Sequence, residues 1–226
     1  MRTDIILPTA ILVFATLALA VFAPPPQPAG VAHAQEVTLP AIWGNLGARL
    51  VELGIIDPQK MRELYGTSWN EEYERLLTGE SGALVMSQEN SGYLLNLLWA
   101  LGLANKNPIL EDETEMMNPA YGSPSRFAST GGWTLAAGDA MDHYDIHEFI
   151  ILTQEQQRLV DKISRKVFRP CCGNSAHFPD CNHGMAMLAL LELMTSQGVQ
   201  ERELYSTANI VNSFWFPEEH QSSCSA

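Results

Sequence analysis

Three cysteines and two histidines fall within thirteen residues, Cys171-Cys172-Gly173-Asn174-Ser175-Ala176-His177-Phe178-Pro179-Asp180-Cys181-Asn182-His183. Thiolate sulfur is a soft ligand and imidazole a borderline one, and together they suit Zn2+ or Cu+. Cys171, Cys172, Cys181 and His183 supply the four donors that a tetrahedral zinc ion takes. His177, in the intervening loop, is a further donor. Gly173 and Pro179 can shape the turn between the ligands. A helix that starts near Cys181 has a positive N-terminus, which favours the thiolate there. Asp180 is placed to cap that helix or to hold His183 in one tautomer. Met185 and Met187 add thioethers, whose ordinary role is core packing. Adjacent cysteines plus Cys-x-His are not the paired Cys-x-x-Cys knuckles of zinc fingers, so Cu+, which accepts two or three soft donors, is the alternative ion.

The same residues support two other chemistries. In an oxidising compartment Cys172 could bridge Cys181, and Cys171 could bridge Cys224, each disulfide adding ~2–4 kcal/mol and leaving the histidines as bystanders. A nucleophilic thiol is the other; His177 is then a freer base than His183, because second neighbours on a helix do not face each other. Upstream, His143 and His147 lie four apart, with Asp139 one turn earlier. On a helix they share a face, the spacing that binds one metal through two imidazoles; the alternative is two surface histidines on an acidic helix. A metal- or thiol-dependent enzyme would combine this pair with the cysteines. The chain has no phosphate-binding glycine loop, no Gly-x-Ser-x-Gly elbow and no Cys-x-x-Cys-His haem motif.

The elements that must position these residues read as helices. Ile42, Leu46, Leu50, Val51 and Leu53 form an apolar stripe from Ala41 to the stop at Gly54. Asp57 N-caps a helix over 58–65 with Pro58 at its first position, and a second short helix covers 70–77. The 87–103 segment leaves little polar surface and belongs at the centre, where Asn90 and Asn96 need partners. Residues 105–124 are irregular, with a solvated acidic run at 111–113, and Gly131-Gly132 marks a turn. Helices follow over 136–151 and 154–167, the latter with a Thr153/Gln156 capping box. The 184–196 helix is apolar on nearly every face, interrupted by Glu192, and an amphipathic helix covers 201–216. The fold class is mainly α, a single-domain helical bundle with irregular loops around the helices near Leu97 and Leu190.

The chain has 226 residues, 46% of them hydrophobic, a length and composition that suit one domain with a sizeable core. A net charge of −13 excludes nucleic acid as a partner, since phosphate binding runs on Lys and Arg, and favours cations. From Ile5 to Ala23 the chain is apolar without a charge, and Ala32-His33-Ala34 then offers a signal-peptidase site. Residues 1–34 are therefore a signal peptide or an N-terminal membrane anchor, 35–40 a linker, 41–217 the helical domain and 218–226 a polar tail. The chain is expected outside the cytoplasm, secreted or tethered through its N-terminal segment, with a metal ion as partner and no protein partner indicated.

Overall fold

The computed structural model describes residues 36–218. The signal-peptide or anchor segment and Cys224 lie outside the described residues. Among those described, seven α-helices and one two-stranded antiparallel sheet make a mainly helical architecture.

The first element departs from the expected linker and helix. Glu36–Gly44 is strand β1, not a linker over 35–40 followed by a helix from Ala41. Leu39, Ala41 and Trp43 alternate inward, a period of two that prevails over the helical stripe. That stripe belongs to a shorter helix, α1 (Leu46–Glu52), which buries Leu46 and Leu50. Helices α2 (Pro58–Tyr65) and α3 (Glu71–Thr78) follow, N-capped by the side chains of Asp57 and Asn70. Strand β2 (Ser81–Ser87) pairs with β1, and the register shifts between Thr38 and Ile42, around Pro40. Pro40 has no N–H for a ladder, so the irregularity falls where it costs least. On β1, the Ile42 N–H donates to the Gln197 carboxamide oxygen, and the Ile42 carbonyl accepts from the Gln197 amide, both at 2.7 Å.

Helix α4 (Ser91–Ala104) starts four residues later than its pattern suggests. Asn90 builds the turn before it, accepting from Ser87 N at 2.8 Å and donating to Val85 O at 2.8 Å. Asn96, within this helix, donates to the Tyr65 hydroxyl at 2.8 Å.

Residues 105–153 are largely irregular, and the helix expected over 136–151 is absent. Asp139 caps only one 3-10 turn, Ala140–Asp142, and Asp145 takes a left-handed backbone, φ 58°, which an α-helix cannot contain. His147 then pairs in extended form with Asn105.

Helix α5 (Gln154–Ser164) carries the capping box at Thr153 and Gln156. Helix α6 (Asn182–Ser196) buries every residue from Gly184 to Thr195 and packs along α4 to form the centre of the core. Gly102 of α4 lies against the Met185 carbonyl, so close that a Cβ there would overlap it. Helix α7 (Glu201–Trp215) covers α6 with Leu204, Ala208, Val211 and Phe214. No described helix is long and apolar enough to cross a membrane.

Candidate metal centre

The cysteines sit at the junction of α5 and α6. After α5 the chain makes a short hairpin: Phe168 pairs with Ser175, Ala176 N donates to Val167 O at 2.8 Å, and Arg169 N donates to Asn174 O at 3.0 Å. Cys171 and Cys172 form its tip. Gly173, at φ 70°, closes the turn in a conformation that side chains disfavour, and its N–H donates to Arg169 O at 2.8 Å. The chain returns through Pro179 to Cys181, the N-cap residue of α6, whose side chain makes no capping hydrogen bond.

The three Sγ atoms of Cys171, Cys172 and Cys181 lie within 4.8 Å of one another. All three are free thiols, so the Cys172–Cys181 disulfide is not present; the Cys171–Cys224 pairing involves a residue outside those described. Cys171 and Cys172 are exposed and Cys181 is half-buried. A tetrahedral zinc site with ~2.3 Å Zn–S bonds spaces its sulfurs ~3.8 Å apart, so modest side-chain rotation brings the three together on one ion. Withdrawal of its sulfur from water, then the neighbouring Cys181 charge and a hydrogen bond with Cys172, push the Cys171 thiol up to about 12.

Arg169 holds this arrangement, and nothing in its spacing announced it. Its side chain is fully buried. Nε donates to Asn174 O at 3.2 Å, and Nη2 to Ser175 O at 3.2 Å and Phe178 O at 2.8 Å. Nη1 donates to Cys181 Sγ at 2.8 Å and pairs with Asp180 Oδ1 at 2.8 Å. Burial works against the guanidinium charge, but Cys181 and Asp180 outweigh it and raise its pKa. One side chain thus ties both halves of the loop and sets a positive charge against a cysteine sulfur. Gly184 makes room: a Cβ there would overlap Arg169 Nη1. The sequence signal was an arginine just before the paired cysteines and a glycine one residue after His183.

The remaining donors go elsewhere. His183 is in the first turn of α6, but its ring packs on Trp215 and Phe216, with centroids 5.7 and 4.6 Å away, and it is not in the sulfur group. Burial, and secondarily the Arg169 charge, push its pKa down to about 4, so the imidazole is neutral. Asp180 neither caps α6 nor touches His183; its second oxygen accepts from Asn174 at 2.9 Å. His177 is buried away from the sulfurs, between Ser164 Oγ at 3.1 Å and Asp112 Oδ2 at 3.1 Å. Met185 and Met187 are core residues.

The chain matches no protein-family model, no curated protein and no solved structure. The site is therefore read from its own chemistry. His143 and His147 do meet, although not on a helix: His143 Nδ1 is 3.1 Å from His147 Nε2 with the rings stacked. Burial, then the His143 charge, lowers the His147 pKa. The pair is not part of the sulfur group.

Proposed function

We propose that this chain is an exported protein that takes up and releases a soft metal ion, Zn2+ or Cu+, through Cys171, Cys172 and Cys181. The observation that carries the reading is the convergence of three free sulfurs within 4.8 Å at one hairpin tip and one helix start. Three thiolates at this spacing are a donor set for soft ions and a poor one for Mg2+ or Ca2+, which take oxygen. Cys171 and Cys172 are exposed residues at the hairpin tip, and this supports metal handling over a structural metal, because an ion there can enter and leave without opening the core. Export rests on the apolar run and Ala-x-Ala of the N-terminal segment.

The test is the metal content of the full chain, purified reduced and without added metal, by native mass spectrometry with a free-thiol count. One equivalent of zinc or copper, lost in each of Cys171→Ser, Cys172→Ser and Cys181→Ser while circular dichroism stays unchanged, is the expected result. A metal-free chain that still takes up neither ion when equilibrated with it would overturn the reading. Variants that lose their helical signal would point to a structural metal instead.

A further inference from the structure

We propose, building on the thiolate site above, that Cys171, Cys172 and Cys181 act as a three-donor site that selects thiophilic centres complete with three soft donors, Cu(I) and trivalent arsenic, over tetrahedral Zn2+. Among the described residues, each neighbouring His or Asp side chain that could supply a fourth corner is committed elsewhere. His183 lies in its aromatic contact with Trp215 and Phe216. Asp180 spends one oxygen on Arg169 and the other on Asn174. His177 is held between Ser164 and Asp112. Among the described residues no other His, Asp or Glu joins the three cysteines.

Coordination number then separates the candidate ions. Zinc in thiolate surroundings takes four ligands, and here it must recruit water or draw His183 out of its contact. Cu(I) is content with a trigonal set of thiolates. Trivalent arsenic carries a lone pair in the fourth direction, so three sulfurs complete it as a pyramid. Charge points the same way for arsenic. Arg169 and Asp180 offset each other, leaving three thiolate charges, which a trivalent centre neutralises. The exposed Cys171 and Cys172 let a neutral acid reach the site. The step balances without an oxidant: arsenous acid, As(OH)3, meets three thiols, three As–O and three S–H bonds break, three As–S bonds form and three waters leave. Arsenic stays trivalent throughout.

The experiment titrates the reduced full chain, without oxygen, with Cu(I), arsenite and Zn2+ in separate and competing series. His183→Phe keeps the aromatic contact and removes both ring nitrogens. Arsenite is expected to add one arsenic less three hydrogens to the mass and to displace zinc, and X-ray absorption should show three sulfurs around arsenic and around copper. Each Cys→Ser variant should lose at least the ~10–100-fold in affinity that removal of a supporting group costs, while His183→Phe changes it by less than about threefold. A tenfold or greater loss in His183→Phe, or zinc held by four protein donors and not displaced by arsenite, would overturn three-coordinate selection while leaving the metal reading intact. Failure of all three probes to bind would overturn both.

Discussion

At the scale of the residue, Arg169 matters as much as the cysteines it orders. Replacing it with Met keeps the bulk but removes every donor, leaving Asp180 without its cation. Breaking a buried ion pair from one side costs about 3–5 kcal/mol, so urea denaturation of Arg169→Met should show a loss in that range. Metal affinity should fall with it, because Cys181 is no longer held toward the hairpin tip. Gly184→Ala should reproduce a weaker form of the same defect, since the added methyl meets the guanidinium. A second residue, Glu192, is buried in the C-terminal half of α6. Its carboxylate accepts from Asn105 at 2.6 Å, and Asn105 in turn accepts from the N–H groups of Phe149 and Ile150. Burial pushes the Glu192 pKa from 4.5 up to about 8, against the Asn105 hydrogen bond. A carboxyl that binds its proton more tightly when folded stabilises fully below its unfolded pKa, and that contribution is lost as pH climbs through about 8. Between pH 5 and 8 the protein should therefore lose stability on the order of a few kcal/mol relative to Glu192→Gln, read from urea midpoints at each pH. The cysteines were legible because three soft ligands in eleven residues are rare. Arg169 was not, since a lone arginine becomes a ligand-holding group only once the hairpin folds around it.

At the scale of the element, local chemistry was easiest to read where it is self-contained. The Asp57-Pro58 start of α2 and the Thr153/Gln156 box of α5 depend on neighbours within four residues, and both stand as the sequence implied. Strand β1 did not, because its inward alternation of Leu39, Ala41 and Trp43 overlaps a four-residue apolar spacing that belongs to α1. The His143/His147 segment failed for another reason: its helical spacing was real, but Asn105 holds the Phe149 and Ile150 amides in extended form and Asp145 turns the chain before them. The rings met by a turn instead. Packing of α4 on α6 rests on a close backbone approach at Gly102. Gly102→Ala should destabilise by about 1–3 kcal/mol through overpacking despite alanine's better helix propensity, a sign that thermal melting can check.

At the scale of the whole molecule, the mainly helical architecture followed from two nearly all-apolar segments that had to become the centre. The small sheet did not, since β1 and β2 pair across more than thirty residues and such pairing leaves no mark in either strand alone. The cysteine cluster lies at the edge of this core, so a metal bound there should tune stability without deciding it. Cu(I) at 100 times its dissociation constant should raise folding stability by about 2.7 kcal/mol, and a competing chelator should return the melting temperature to that of a still-folded chain. Melting curves taken with and without the ion measure both.

A two-stranded sheet has open flanks, and the Gln197 carboxamide, bonded both ways to Ile42, occupies part of one. It imitates the backbone of a neighbouring strand that is not there. Ile42 is itself an exposed hydrophobic residue, and without that cover its free N–H and carbonyl become a template for the strand of another molecule. The side chain at the end of α6 thus guards against self-association. Gln197→Ala should leave the monomer's helical signal unchanged yet speed its aggregation on mild heating, in light scattering.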